Sequence, residues 1–225
     1  MSVAIVTGAS QGLGLALTRS LSERGWQLVV DARDPDRLAA SVGRLPGVTW
    51  ISGDVSDEAH RRALVDAAGE RIDLLVNNAS ALGPSPRPEL ADFSLGELGA
   101  VYAVNVFAPL ALVQLALPRL PAGAAIVNLS SDAAREPYPG WGGYGSAKAA
   151  LDQLTAILGA EQPTLRVYAF DPGDMRTELH QQAFPGEDIS DRPPPEESLP
   201  GLLELIEGSL PSGRYLAAAL AASSA

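Results

Sequence analysis

The sequence predicts a doubly wound α/β domain, with a parallel sheet of about seven strands and helices on both faces. Three observations carry that prediction. Short apolar or β-branched runs alternate with helix-patterned segments along most of the chain. Those runs are apolar throughout instead of alternating, as strands covered on both faces must be. A glycine-rich turn, Thr7-Gly8-Ala9-Ser10-Gln11-Gly12-Leu13-Gly14, joins the first run to the first helical segment.

The elements follow in order. Val3–Thr7 reads as the first strand, and Leu13–Arg24 as a helix with Leu13, Leu17 and Leu21 on one face. Gln27–Asp31 is the next strand, followed by a short helix over Pro35–Val42. Val48–Ser52, Leu74–Asn77, Ala125–Leu129 and Arg166–Phe170 continue the strand series. Helices are expected between them over 57–69, 94–117 and 144–158. Right-handed crossovers then wind the helices onto both faces. The irregular stretches 80–93, 132–143 and 178–200 each follow a strand end, where an open α/β sheet holds its ligand. The last contains Pro193-Pro194-Pro195 and is expected to act as a substrate lid.

Composition narrows the function. The 225 residues suit one domain spanning 1–225, and 46% hydrophobic content is enough for a sizeable core. No apolar run approaches the ~20 residues needed to span a bilayer. The strand-like start, without a basic stretch, predicts no secretory signal. No cysteine and two histidines, His60 and His180, predict no metal site. A formal charge of −11 predicts neither nucleic-acid nor anionic-membrane partners. A cytoplasmic protein acting on a small molecule is the expectation.

The glycine loop is suited to phosphate. Glycine permits positive φ and close backbone approach, and a helix start offers free N–H groups and partial positive charge. Tyr144 and Lys148, four residues apart in a predicted helix, share one face. A nearby ammonium favours the phenolate and lowers the pKa of a phenol. Lys148 is also the only lysine among 16 basic residues, which marks a position where guanidinium will not serve.

Thr7-Gly8-Ala9-Ser10-x-Gly12-x-Gly14, Asp54-Val55, Asn77-Asn78-Ala79-Ser80, Asn105, Ser130-Ser131, Tyr144-x-x-x-Lys148 and Pro172-Gly173 occur in this order. The ordered set resembles the short-chain dehydrogenase/reductase family. That resemblance implies a Rossmann-like fold and hydride transfer between a nicotinamide cofactor and a carbonyl/secondary alcohol pair. It implies Tyr144 as general acid/base, with Lys148 holding the nicotinamide ribose. Ser131, 13 residues before Tyr144, would orient the substrate oxygen, and Asn105 would hold a water near the lysine. Gly8, Ser10, Gln11, Gly12, Leu13, Gly14, Asp54, Val55, Asn77, Asn78 and Ala79 would contact the cofactor, as would Tyr144, Lys148, Pro172, Gly173 and Thr177. Two positions depart from the family pattern: Ser80 replaces a usual glycine, and Asp174 a usual apolar residue.

Cofactor preference turns on Asp31-Ala32-Arg33. An acid at the reading position accepts from the ribose hydroxyls of NAD(H), whereas arginine pairs with the 2′-phosphate of NADP(H). Family register puts Ala32 at the acid's position and makes Arg33 the phosphate reader, so NADP(H) is favoured over NAD(H). A shift of one residue would install Asp31 instead. Phe93, Tyr138, Trp141 and Phe184 could line an apolar pocket or cover the sheet's edge. His180 is expected on the lid surface. Apolar faces on 94–117 and 144–158 resemble the family's dimer surface, implying a homodimer or homotetramer. A rival expectation is a catalytically silent dinucleotide-binding regulatory or scaffold protein.

Overall fold

In the computed structural model, which describes residues 1–223, seven parallel strands form one sheet. They are β1 (Val3–Val6), β2 (Gln27–Ala32), β3 (Val48–Ser52), β4 (Leu74–Asn77), β5 (Ala125–Leu129), β6 (Arg166–Asp171) and β7 (Gly213–Leu216). Their order is β3-β2-β1-β4-β5-β6-β7. The chain therefore winds outward in one direction from β1 and in the other from β4. The expected strands match to within a residue at each end, and Gly213–Leu216 supplies the seventh.

The helices are α1 (Gly12–Glu23), α2 (Pro35–Val42), α3 (Glu58–Ala67), α4 (Leu95–Tyr102), α5 (Ala108–Ala116), α6 (Gly142–Glu161), α7 (Glu178–Ala183), α8 (Leu199–Glu207) and α9 (Ala217–Ser223). Side chains alternate across each strand, so the sheet feeds two cores. One holds Val6, Val30, Val76, Val127 and Phe170 against Leu13, Leu17 and Leu21 of α1 and Leu202 and Leu205 of α8. The other sets Ile5, Leu75, Ile126 and Val167 against Leu64 of α3 and Leu112 and Val113 of α5. Burial on both faces explains the uninterrupted apolar runs. β3 departs from that pattern because it is an edge strand, and Trp50 is 40% exposed there.

Two expectations need correction. The segment expected as one helix over 94–117 is broken by a π-helical turn, Ala103–Phe107, between α4 and α5. Its extra residue places Asn105 beside Ala81, whose N–H and C=O take the whole amide: Ala81 N–H donates to Oδ1 at 2.9 Å, and Nδ2 donates to Ala81 O at 2.7 Å. Leu95–Arg119 is also long and apolar enough to cross a membrane, contrary to the expectation that no segment is. Glu97, Asn105 and Gln114 mask that in the sequence. In the fold, Val101, Val106, Leu112 and Val113 turn one side of the segment into the core.

A buried polar ladder crosses the second core. Asn77 donates to Asn128 Oδ1 at 2.8 Å, and Asn128 donates to Thr155 Oγ1 at 2.8 Å, linking β4, β5 and α6. Buried amides are costly to leave unpaired. Asn128→Ala strips Asn77 of its acceptor and should lower unfolding stability by about 2 kcal/mol or more. Urea denaturation followed by circular dichroism measures the loss.

Candidate active site

The strand order reverses direction between β1 and β4, and a cleft of about 200 Å³ opens there at the carboxyl ends. It is lined by Gly8, Ser10, Gln11, Gly12, Leu13, Arg33, Asp54, Val55, Asn78, Ala79 and Thr177. All were expected at the cofactor. Gly8 and Gly12 adopt φ of +71° and +55°, conformations that favour glycine. A Cβ on Gly14 would lie 2.3 Å from Gly8 O and 2.4 Å from Asn78 Nδ2, so the α1 start must be glycine to nest under the loop. Gln11 caps α1 without a side-chain bond, leaving first-turn amides free for an anion. Its Oε1 is buried without a partner. Such a cradle fits the pyrophosphate of a dinucleotide.

Asp31 is buried beside the glycine loop. Its Oδ1 accepts from Gly8 N at 2.8 Å, its Oδ2 meets His60 Nε2 at 2.9 Å, and it is 1% exposed. The carboxylate is thus consumed in shaping the glycine loop. Arg33 is exposed at the cleft wall, and its guanidinium helps hold Asp54 below the usual carboxylate range. Ser56 contributes more to that effect, against the upward pull of burial. The buried role of His60 was not anticipated. No local pattern announced it, since its partner lies 29 residues away.

Asn77 is 3% exposed in the polar ladder and is not among the residues lining the cleft. Asn78 is, while its Nδ2 donates to Thr7 O at 2.8 Å and Gly8 O at 3.1 Å. Thr7 Oγ1 in turn accepts from the N–H groups of Asn78 and Ala79, each at 3.0 Å. Thr7 therefore staples β1 to β4, a role not foreseen from the motif.

Ser131 and Tyr144 meet at the far end of the cleft, in a second pocket that also includes Pro172, Gly173 and Thr177. Met175, Thr177 and Leu179 line both spaces, which places them side by side. Ser131 Oγ donates to Asp132 Oδ1 at 2.9 Å. Ser130 also reaches the pocket but is buried, and its N–H extends the β5–β6 ladder to Phe170 O at 2.7 Å. Asn105 is fully buried in the π turn, and its Oδ1 also accepts from Ser80 Oγ at 3.1 Å. The departure from glycine at 80 thus supplies a hydroxyl between Asn105 and the pocket.

Lys148 is 2% exposed and donates to Leu129 O at 2.7 Å, its Nζ 5.5 Å from the Tyr144 ring centroid. Burial lowers its pKa to about 8, with Asp152 opposing. Burial also pushes the Tyr144 phenol up to about 12. The Ser80 hydroxyl opposes this, Asp171 and Asp132 add to it, and Ser131 opposes it. The lowering expected from Lys148 does not appear among these effects, and the net direction is upward, led by desolvation.

Trp141 walls the pocket, with its ring 5.8 Å from Tyr144 and 5.9 Å from Phe184. Arg87 stacks 4.0 Å above Trp141. Tyr138 instead bonds Asp132 Oδ2 at 3.0 Å, and Phe93 packs with Val101 away from the pocket. His180 is not a surface residue: its side chain is 11% exposed and lines the pocket. The stretch 178–200 is more ordered than a loop lid. It opens with α7, capped by Thr177, and its end already belongs to α8.

Lys148 carries a stability cost with a definite pH signature. Its folded pKa lies below the unfolded value of 10.5, so the penalty is complete below about 8 and disappears as pH rises to 10.5. Lys148→Met should therefore be more stable than the native protein at pH 7, by about 1–3 kcal/mol. That advantage should shrink between pH 8 and 10.5. Guanidinium denaturation at several pH values checks it; a less stable variant at pH 7 contradicts the assignment.

The short chain dehydrogenase family model matches residues 2–188. Sepiapterin reductase of Meriones unguiculatus is 33% identical over 203 residues, covering 81% of this chain and 77% of that protein. Benzil reductase ((S)-benzoin forming) of Bacillus subtilis is 31% identical over 188 residues, covering 80% and 76%. A short chain dehydrogenase structure from Escherichia coli CFT073, complexed with NADPH, superposes with a TM-score of 0.86 at 26% identity, covering 96% of each chain. With the sheet order, the cleft at the switch point and a family match over most of its length, the chain belongs to the short chain dehydrogenase family of NAD(P)-dependent oxidoreductases.

Proposed function

We propose that the protein reduces a ketone or aldehyde to an alcohol, or the reverse, with NADP(H) as hydride carrier and Tyr144 as proton carrier. The observation that carries this reading is the adjacency of the two spaces: Ser131 and Tyr144 stand in a pocket that shares Met175, Thr177 and Leu179 with the dinucleotide cleft. NADP(H), when bound, supplies or accepts the hydride. Gly8, Gly12 and the α1 start hold its pyrophosphate, Arg33 its 2′-phosphate, and Lys148 its nicotinamide ribose. NAD(H) is the weaker ligand on this reading, because Asp31 is tied to Gly8 and His60.

Ser131 turns its hydroxyl from Asp132 to the substrate oxygen, stabilising negative charge there as the carbonyl is reduced. Tyr144 donates the proton in reduction and accepts it in oxidation. A phenol held near 12 in a buried pocket is a ready acid for an alkoxide, whose own basicity is higher still. Asn105 acts through its grip on Ser80 and Ala81, fixing the loop beneath the reacting groups. Trp141, Phe184 and Leu179 favour a substrate with an apolar or aromatic flank. The two relatives named for reductions of carbonyl compounds support that class.

Segment 178–200 closes over the substrate, supported by the Arg87–Phe184 stack at 5.0 Å and by Ser85 Oγ donating to Gln182 O at 2.9 Å. Two copies pair through α4, α5 and α6, where Leu95, Phe107 and Ile157 leave apolar surface at 83%, 59% and 43% exposure. A cytoplasmic setting completes the reading.

A panel of aromatic ketones, diketones including benzil, aldehydes and quinones, followed through NADPH absorbance, tests turnover. Tyr144→Phe should lower kcat by 10³-fold or more, an estimate of about 4 kcal/mol of transition-state stabilisation, with NADPH binding intact. Cofactor binding without turnover across the panel would support the silent-scaffold alternative. In Arg33→Ala, NADPH affinity should fall about tenfold or more while NADH affinity holds. Equal losses for both cofactors remove Arg33 from phosphate recognition.

A further inference from the structure

Arg214 lies on β7, outside every motif that carries the family resemblance, yet it touches three elements of the reacting centre. Its Nη2 donates to Asp171 Oδ2 at 2.7 Å, where β6 ends, and to the Ser131 carbonyl at 3.1 Å, just past β5. Its Nε donates to Asp152 Oδ2 at 2.9 Å. Asp152 stands four residues after Lys148 on α6, so the two share a helix face. The guanidinium is 16% exposed, and Asp171 is 4% exposed. Parallel pairing sets Arg214 beside Ala169, and the fork reaches across β6 from there.

The charges around it explain why the centre needs a cation at this point. Tyr144 and Asp152 face Lys148 from its own helix, Asp132 lies beyond β5, and Asp171 ends β6. Arg135 joins Asp152 and Arg214 around a hollow that α6 shares with β6 and β7. Asp152 is the carboxylate that acts on Lys148, and its other oxygen, Oδ1, is buried without a partner. A bidentate or bridging guanidinium is the group best suited to hold two carboxylates at fixed angles. Without it, Asp152 stands unpaired and Asp171 keeps only the Gly173 N–H at 3.0 Å, both within the field of the phenol and the ammonium.

We propose that Arg214 is a positioning residue for the Tyr144–Lys148 centre, holding the Ser131 strand end in place and keeping Asp152 and Asp171 from capturing the charge of Lys148. This deepens the catalytic reading given above, because it takes Tyr144 and Lys148 as the reacting pair. The contact is made through planar geometry, with one nitrogen serving Asp171 and the Ser131 carbonyl while another serves Asp152. Losing it releases Asp152 toward the ammonium four residues away.

The only lysine in the chain makes a test possible without a substrate. Protein labelled with ¹³Cε-lysine gives one ε-carbon resonance, whose pH titration reports Lys148 directly. In the native protein the midpoint should lie at about 8. In Arg214→Met it should rise by about one unit or more, and Arg214→Met/Asp152→Asn should bring it back. Asp152→Asn alone should move it by less than the Arg214 substitution does. Arg214→Gln replaces Arg214→Met if the latter does not fold, and Asp152→Asn in the native background stands as a further check. Midpoints that agree within about 0.3 unit in native and folded Arg214 variants overturn the proposal, as does a fall of more than a unit in Asp152→Asn alone. Neither result depends on turnover, so this proposal and the catalytic reading can fail separately.

Discussion

The carboxylate of Asp31 is the interaction on which the cofactor end of the molecule depends. It is buried at the end of β2, where an unpaired charge would be prohibitive, and both oxygens are satisfied by Gly8 N–H and His60. One bond fixes the glycine loop against β2; the other draws α3 toward the sheet. The backbone carbonyl of Asp31 adds a third tie, accepting from Ala9 N–H at 2.8 Å. A Cβ on Gly53 would collide with the His60 ring at 2.2 Å, so the chain leaving β3 must be glycine to admit the pair. Loop shape, helix placement and the freedom of Arg33 all follow from where this one acid points.

Burial plays the same organising part at the other end. Tyr144 and Lys148 are both withdrawn from water, which moves the phenol and the ammonium away from their ordinary ranges in opposite directions. Lys148 is held by the Leu129 carbonyl at the end of β5. Tyr144 is held by aromatic packing against Trp141 and flanked by hydroxyls and acids. The pair therefore depends on strand ends as much as on its own helix. Arg214, Asp171 and the Ser131 carbonyl complete that framework from the sheet side.

Much of this was legible in the sequence because it is local. Uninterrupted apolar runs gave strands, and Leu13, Leu17 and Leu21 gave the buried face of α1. The glycine loop and the Tyr144–Lys148 spacing are also short-range patterns. What escaped the sequence is long-range or depends on cumulative geometry. Nothing near His60 declares a partner at Asp31, and nothing near Arg214 declares three partners between 43 and 83 residues away. The π turn escaped because one extra residue within an apolar helix leaves the pattern almost intact. The polar ladder partner of Asn77 also escaped, since Asn128 lies 51 residues away on the neighbouring strand.

The solitary lysine has a consequence for the protein's own chemical durability. Aldehydes and ketones condense with primary amines to form Schiff bases, and the exposed lysines of an ordinary protein are their usual targets. Here the basic side chains are otherwise arginines, and the one ammonium is 2% exposed inside the fold. A protein that handles reactive carbonyl compounds thus presents them with no accessible side-chain amine. Its surface charge is carried by guanidinium groups, which stay protonated and are poor nucleophiles at neutral pH. The same composition that isolates Lys148 leaves the rest of the molecule without a side-chain amine on which simple aldehydes and ketones can form Schiff bases.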